Sequence, residues 1–138
     1  MPVYARERKE TSIQYVVTAQ KLQTIVIKFL MNEKKVPKKW RFMLVFGAIR
    51  KVNELLDNVV AAHNVFPNTE EKLKQRVDYL NKGVLNCYQL ENRFLCMIRV
   101  IETVNAGNLG DITSLLFDEI ALLKKTIKNA KVVGKQEV

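Results

Sequence analysis

The chain is poor in the side chains that most often carry catalysis or bind metals, since its 138 residues include one histidine, two cysteines and five glycines. A Ser-His-Asp relay would have to be built on His63, whose neighbours carry no such signature. A single histidine also excludes the paired Glu-x-x-His motifs of di-metal bundles, and no glycine-rich phosphate loop is present. We therefore expect a protein that is not an enzyme and that needs no metal or cofactor.

Disulfides, secretion and membrane spans are also excluded by what the sequence lacks. Cys87 and Cys96 lie nine residues apart within an apolar helical pattern, a spacing that matches neither a metal site nor a disulfide framework. We interpret them as buried thiols in a reducing compartment. The opening MPVYARERKE has no apolar core for a secretory signal, and no stretch reaches the roughly 18 apolar residues of a membrane span. We expect a cytoplasmic protein that makes no membrane contact.

The overall composition is that of a basic globular domain. Hydrophobic residues make up 48% of the chain, enough for the core of one domain covering residues 1–138. Residues 1–11 and 131–138 are expected to fray. The formal net charge is +9, with 23 Lys and Arg against 14 Asp and Glu. This charge favours an anionic partner, and by itself it does not distinguish nucleic acid from an acidic protein or a membrane surface.

Apolar residues recur at intervals of three and four in four segments, which predicts four helices. The helices cover about residues 12–31, 37–63, 70–101 and 111–127, and Gly83 is expected to bend the third. The expected capping residues are Thr11 or Ser12, Asn68 or Thr69, and Asp111. Short connections make consecutive helices antiparallel, so the predicted fold is all-α, an antiparallel up-down-up-down four-helix bundle.

The second helix has more apolar side chains than one buried stripe can use. The residues predicted to face inward are Met43, Phe46, Ile49, Val52, Leu56, Val59 and Val60. Leu44, Val45 and Leu55 fall outside that stripe. Surplus apolar area on a small domain usually marks a subunit interface, so we favour oligomerisation over the alternative of a tightly enclosed central helix.

The densest cluster of cations is KKVPKKWR, where Lys34, Lys35, Lys38, Lys39 and Arg41 surround Pro37 and Trp40. Proline favours a connection followed by the first turn of a helix, where positive charge is mildly unfavourable. Cations in such a place indicate a site that binds phosphates without reading bases. Trp40 either packs beneath the junction, which we favour, or stacks on an unpaired base. Further candidate basic residues are Arg50, Arg93, Arg99, Lys124, Lys125 and Lys128, of which the last three also complement a helix C-terminus.

Four stretches of the chain resemble a known family. They read VPKKWRFML, AIRKVNELLDNVVAA, RFLCMIRVIETVN and LLFDEIALLKKTI. Over residues 13–128 the chain resembles the accessory variability determinant proteins of diversity-generating retroelements. It also resembles related four-helix bundle proteins encoded in intervening sequences of bacterial 23S ribosomal RNA genes. Those relatives carry an Asn-Ile-Ala-Glu-Gly run where this chain reads Asn58-Val59-Val60-Ala61-Ala62, so the missing glutamate and glycine favour the retroelement branch.

The resemblance implies a homopentameric barrel of four-helix bundles that binds a reverse transcriptase and template RNA. Such a protein supports synthesis of complementary DNA mutated at adenine positions, with RNA and complementary DNA as expected ligands. Val36, Pro37 and Lys38 match the family's helix-junction motif, and Arg99 matches an arginine of its third helix. The alternative is an RNA-binding or protein-interaction bundle of the intervening-sequence type, without a reverse transcriptase partner. A neighbouring reverse transcriptase gene and a template/variable repeat pair would distinguish the two.

Overall fold

A computed structural model describes residues 13–134 of the chain, and within them it is all-helical. The helices are α1 (Gln14–Leu30), α2 (Phe46–Asn64), α3 (Glu70–Val100) and α4 (Gly110–Lys128). A 3₁₀ turn (Lys38–Trp40) and a π-helical turn (Arg41–Val45) precede α2, and a second 3₁₀ turn (Gly107–Leu109) precedes α4. The predicted all-α four-helix class is confirmed.

The four helices form a ring in which each one packs against its neighbours in the sequence, and α4 also packs against α1. Two contacts give the direction of the first pair. The rings of Tyr15 and His63 lie 6.4 Å apart, and Gln23 Nε2 donates to Asn53 Oδ1 at 2.9 Å. As the chain advances along α1, its contacts move backwards along α2, so the two helices are antiparallel.

The second and third helices are antiparallel for the same reason. Gly47, near the start of α2, lies against the side chain of Arg93, whereas Val59, near its end, lies against Gly83. The loop of residues 101–109 then returns the chain along α3, as α4. The α1–α2 and α3–α4 connections therefore lie at one end of the bundle, which we call the junction end. The α2–α3 connection and the end of α4 lie at the other, the distal end.

The helix starts follow the predicted pattern in part. Thr69 caps α3 as expected, because its hydroxyl accepts the N–H of Lys72 at 3.1 Å. Helix α1 begins after Ile13 and has no side-chain cap among the described residues. The predicted caps Thr11 and Ser12 lie outside those residues.

The prediction that Asp111 caps α4 was wrong. The 3₁₀ turn leads straight into the helix, so the N-cap position falls on Leu109 and Asp111 lies in the first turn. The preceding loop is held instead by Asn105 and Asn108, whose side-chain oxygens each accept the backbone N–H of the other at 2.9–3.1 Å. Asp111 remains close to the positive end of the helix dipole, where a carboxylate is favourable.

The predicted inward face of α2 was right at Val52 and Val59 and wrong at its other positions. The buried residues are Val45, Ala48, Val52, Leu55, Val59 and Ala62, whereas Met43, Phe46 and Val60 are exposed and Ile49 and Leu56 are half-buried. A 3₁₀ turn and a π turn advance the chain by angles other than the 100° of an α-helix. Two of the residues wrongly placed inside, Met43 and Phe46, lie in the π turn or directly after it, where one constant helical period does not hold.

The third helix supplies the longest part of the core. Its core residues repeat at intervals of three and four, namely Leu80, Gly83, Cys87, Leu90, Phe94 and Met97, and Ile101, directly after the helix, continues the series. The helix runs without interruption through Gly83, where a bend was expected. A Cβ there would lie 3.3 Å from both Leu123 Cδ1 and Val59 Cγ1. Gly83 thus lets α2 and α4 approach α3 closely.

The segment after α4 folds back onto the distal end of the bundle. Val133 N–H donates to the carbonyl of Pro67 at 3.0 Å, and Gly134, at φ +89°, lies against the ring of Phe66. Residues 131–134, for which fraying was expected, are therefore packed against the α2–α3 connection. The other residues expected to fray, 1–11 and 135–138, lie outside the described part of the chain.

Candidate nucleic-acid and partner interface

The junction between α1 and α2 has a fixed backbone. After α1 ends, the carbonyl of Asn32 accepts the N–H groups of Lys35 and Val36 at 3.0 and 2.9 Å, while its side-chain oxygen accepts the N–H of Lys34. The side chain of Val36 is 1% exposed and anchors the turn in the core. Pro37 follows in an extended conformation, at φ −55° and ψ 144°, and the 3₁₀ turn begins directly after it.

The four junction lysines, Lys34, Lys35, Lys38 and Lys39, are all exposed. Among residues 13–134 the ion pairs within 4 Å are Arg41 with Glu33 and Lys51 with Glu54, so none of the four lysines is neutralised there. Their backbone is held in place by the turn, whereas their charged ends are solvated. Such a cluster can bind phosphate groups with little reorganisation of the protein backbone.

Arg41 and Trp40 are more enclosed than the lysines. Arg41 Nη2 bonds Glu33 Oε1 at 3.3 Å, and its Nε is buried with no hydrogen-bond partner in the described part of the chain. The indole of Trp40 is half-buried and packs against the core, which confirms the predicted packing role. Lys39 Nζ lies 5.5 Å from the centroid of that ring, within the range of a cation–π contact. These two side chains support the junction rather than extend from it.

The α3–α4 loop is tied to the same turn. The hydroxyl of Thr103 donates to the carbonyl of Lys35, and Asn108 Nδ2 donates to the carbonyl of Thr103 at 2.8 Å. Two connections far apart in sequence are thereby joined at the junction end. This contact was not predicted from the sequence, since it depends on the register between helices.

Three of the predicted arginines lie on α2 and α3 towards the junction end. Arg99 is exposed in the last turn of α3. The guanidinium of Arg93 lies across Gly47, where a Cβ would be only 3.1 Å from its Nη1. Arg50 is exposed one helical turn beyond Gly47. The junction lysines and these arginines therefore belong to the same half of the molecule.

The predicted lysines of α4 do not join that group. Lys124, Lys125 and Lys128 lie in the last two turns of α4. Lys124 Nζ donates to the hydroxyl of Tyr88 at 2.8 Å and lies 5.4 Å from its ring centroid. The structure thus divides the predicted basic residues into a junction set and an α4 set, which extends from the middle of the bundle, where Lys124 contacts Tyr88, to the distal end.

An exposed apolar patch begins directly after the junction. Phe42, Met43 and Phe46, which we call the α2 apolar patch, are 83%, 69% and 54% exposed. The sequence predicted surplus apolar surface on this helix, but Met43 and Phe46 were assigned to the inward face. Other exposed apolar side chains of α3 and α4 towards the same end are Leu95, Val100 and Phe117. Apolar surface of this kind marks an interaction site more often than a bare monomer surface.

Glu119 is an isolated carboxyl group in the core. Its side chain is fully buried, and neither carboxylate oxygen has a hydrogen-bond partner within residues 13–134. Burial raises the pKa of Glu119 to about 8, so the carboxyl group is mostly protonated at neutral pH. Burial also raises the pKa of Tyr15 and of Cys87, and the charge of Glu119 adds to both shifts. Glu119 lies at helical spacing from the buried Ile112, Leu116 and Leu123, so the periodicity of α4 places it on the inner face, where a charged side chain is not expected.

The remaining candidate groups occupy structural positions. His63 lies in the last turn of α2, as predicted, and contacts the ring of Tyr15 edge to face. Cys87 is a buried free thiol and Cys96 is a half-buried one. No three His, Cys, Asp or Glu side chains are grouped as metal ligands in the portion of the chain that the structure covers. None of the helices between residues 13 and 134 has the length and apolar character needed to cross a membrane.

No protein family, curated protein or solved structure matches this chain.

Proposed function

We propose that this protein is a non-catalytic accessory protein of a diversity-generating retroelement. It binds the element's reverse transcriptase and template RNA and supports mutagenic synthesis of complementary DNA. The observation that carries the proposal is the junction, where four exposed lysines have no ion-pair partner among the residues described. The resemblance of residues 13–128 to accessory variability determinant proteins supplies the identity of the partners.

The junction set suits a polyphosphate chain. Lys38, Lys39 and Arg41 stand at the start of a helix, where the dipole disfavours cations, so intrahelical electrostatics do not account for them. A lysine gives phosphate a point charge without recognising a base, and its contribution to affinity comes from counterion release. RNA binding at this end is therefore largely independent of sequence and falls steeply with salt.

The α2 apolar patch supports oligomerisation next to the cationic junction. Phe42 is 83% exposed, which is costly in a monomer and useful in a subunit contact. Because the patch begins at the residue after Arg41, a contact through it would hold neighbouring junctions close together. In a cyclic homopentamer, as the resemblance implies, five copies of the lysine cluster would surround the symmetry axis. Such a positive ring can hold RNA while apolar surface elsewhere contacts the reverse transcriptase.

The RNA-binding part is tested by replacing the junction lysines together with glutamine: Lys34→Gln, Lys35→Gln, Lys38→Gln and Lys39→Gln. Fold and oligomer should be unchanged, because exposed lysines without ion pairs contribute little to stability. Binding to single-stranded template RNA should weaken. The slope of log Kobs against log salt should become shallower by about 0.7 for each lysine that had contacted a phosphate.

A control variant with the same change in net charge separates local binding from overall attraction. Its substitutions lie away from the junction, at four exposed lysines: Lys21→Gln, Lys72→Gln, Lys74→Gln and Lys82→Gln. We expect this variant to keep most of the parental affinity and salt slope. If the two variants lose equal RNA affinity, net charge alone drives binding and the junction is not a specific RNA-binding site.

The reverse transcriptase partnership needs its own assay. The purified protein, a reverse transcriptase encoded beside it and the template RNA are mixed, and complementary DNA is measured with and without the protein. Synthesis should depend on the protein, and the two proteins should co-elute. RNA binding without any effect on the reverse transcriptase would instead favour a bundle of the intervening-sequence type.

Oligomerisation is measured by light scattering at micromolar concentration. The parent should have the mass of an oligomer, and the Phe42→Ser, Phe46→Ser variant should have a lower mass with the same helical content. Leu85→Ser, which removes from the middle of α3 an apolar side chain as exposed as that of Phe46, serves as the control. A monomeric parent would remove both the interface argument and the proposed ring.

A further inference from the structure

A cleft at the distal end of the bundle is separate from the junction and is not used by the proposed function. Its volume is about 350 Å³, near the lower end of the range found for small-molecule sites. It lies between the α2–α3 connection, the first two turns of α3, the end of α4 and the returning segment. That volume suits one small organic molecule rather than a length of polymer.

The walls of the cleft are held by contacts between segments distant in sequence. Val133 N–H bonds the Pro67 carbonyl, and Gly134 lies against Phe66 in a positive-φ conformation that other residues rarely adopt. On the opposite wall, Arg76 Nη2 donates to the hydroxyl of Tyr15, which is 2% exposed, at 3.5 Å. The cleft is therefore a formed depression and not a gap between loose ends.

Three cations line this cleft, and no acidic side chain of residues 13–134 does so. They are Arg76 from α3, Lys125 from α4 and Lys131 from the returning segment. Among the described side chains none of them has an ion-pair partner within 4 Å. The hydroxyl of Tyr15 accepts a hydrogen bond from only one of the five N–H donors of Arg76. Attraction to the end of the α4 dipole accounts for Lys125, but it does not explain why cations from two other segments face the same space.

The rest of the lining is largely apolar. Phe66, Leu73, Leu122 and Val133 contribute carbon surface, and the ring of Phe66 is 59% exposed at the rim. Thr126 and Asn129 also line the cleft, and the Thr126 hydroxyl donates to the carbonyl of Leu122 at 2.7 Å. An apolar wall beside three cations matches a ligand with a flat aromatic body and a multiply charged anionic group.

We propose that this distal cleft binds a small aromatic phosphate of the size of a nucleoside monophosphate. The aromatic part packs on Phe66 and the neighbouring aliphatic side chains, where base–aromatic contacts are favourable. The phosphate lies between Arg76, Lys125 and Lys131, where the guanidinium can form a paired hydrogen bond and the lysines add charge. Neither half of such a ligand would bind well alone.

The test uses isothermal titration of the full chain with adenosine 5′-monophosphate, adenosine and inorganic phosphate at one ionic strength. Adenosine monophosphate should bind about tenfold or more tightly than either fragment. The double variant Lys125→Gln, Lys131→Gln should weaken that binding by about tenfold, because each lysine is exposed and its loss leaves the fold intact. Phe66→Ala should reduce the affinity to that of inorganic phosphate.

Lys128→Gln is the matched control, since Lys128 lies on the same helix end and does not line the cleft. It should leave nucleotide affinity within about twofold of the parent. Absence of binding at millimolar nucleotide, or equal losses in the control and the double variant, would overturn the proposal. The quadruple junction variant should still bind the nucleotide, and the cleft variants should still bind RNA, so the two proposals fail separately.

Discussion

Replacing Glu119 with glutamine should make the protein more stable, by an amount that grows with pH. The parental carboxyl group is buried without a partner among residues 13–134, and burial raises its pKa from 4.5 to about 8. In the unfolded chain the same group loses its proton near the ordinary value. Between these two values unfolding releases a proton, so rising pH favours the unfolded state. Glutamine has nearly the same shape and carries no proton that titrates in this range.

The size of the effect follows from the two pKa values. One pKa unit corresponds to about 1.4 kcal/mol, so the contribution of Glu119 to the free energy of unfolding falls by about that much per pH unit between pH 4.5 and pH 8. This contribution to stability is fully present below pH 4.5, and it changes little more above pH 8. From pH 6 to pH 8 the parent should lose about 2 kcal/mol that Glu119→Gln does not lose.

Urea unfolding followed by far-ultraviolet circular dichroism measures this difference. Parent and variant are compared at pH 6 and pH 8 and at one protein concentration, because assembly links stability to concentration. Groups that the two proteins share contribute equally to both and cancel in the difference. Asp118→Asn, an exposed neighbour on the same helix, is the control and should give a difference independent of pH. A Glu119→Gln difference that is the same at both pH values would refute the reasoning, because it would mean that the buried carboxyl group is already neutralised or solvated.

Three further predictions concern packing and capping. Gly83→Leu should destabilise the protein by about 1–3 kcal/mol or more, because its added side chain meets Leu123 and Val59, and thermal unfolding would show it. Leu55→Ala should cost about 2–5 kcal/mol in urea unfolding and clearly more than Leu56→Ala, since Leu55 is fully buried and Leu56 is not; equal costs would contradict the helical phase of α2. Thr69→Ala should cost about 1 kcal/mol through the lost cap, and Thr69→Ser should restore most of it.

The sequence predicted those parts of the fold that depend on a regular period. The bounds of α1, α3 and α4 lie within two residues of those expected, and Cys87 is buried in α3 as predicted. Helix α2 ends where expected but begins at Phe46 instead of residue 37, because 3₁₀ and π turns occupy the segment before it. The cap at Thr69 was also predicted, because capping depends on residues three positions apart. In these cases the evidence is local, and one constant helical period is valid along the whole segment.

Prediction failed where the backbone leaves that period or where distant segments meet. The 3₁₀ and π turns before α2 depart from the α-helical period, and there Val45 was placed outside the core and Phe46 inside it, opposite to what the structure shows. Glu119 falls on the buried face of α4, although a carboxylate at that position normally argues for the solvent side. The distal cleft requires the chain after α4 to return to Pro67, which no local pattern encodes.

The candidate junction site was predictable in part from the sequence. Its lysines were identified from their density in the sequence and from Pro37, and the structure places them on an exposed turn. The division of the basic residues into a junction set and an α4 set could not be read from spacing along the chain. It follows from the antiparallel return of α4, which carries Lys124 and Lys125 away from the junction.

The ring of helices also determines which helices should separate first when the native protein unfolds in part. Three of its helix pairs are joined by short connections, whereas α1 and α4 touch only when both ends of the chain come together. The contact between α2 and α3 is the most extensive of the four. Sub-global openings should therefore release α1 and α4 while α2 and α3 remain paired, and amide hydrogen exchange should be fastest in the two outer helices. Since Glu119 lies on α4 and its charge reaches Tyr15 on α1, raising the pH should increase this difference in protection.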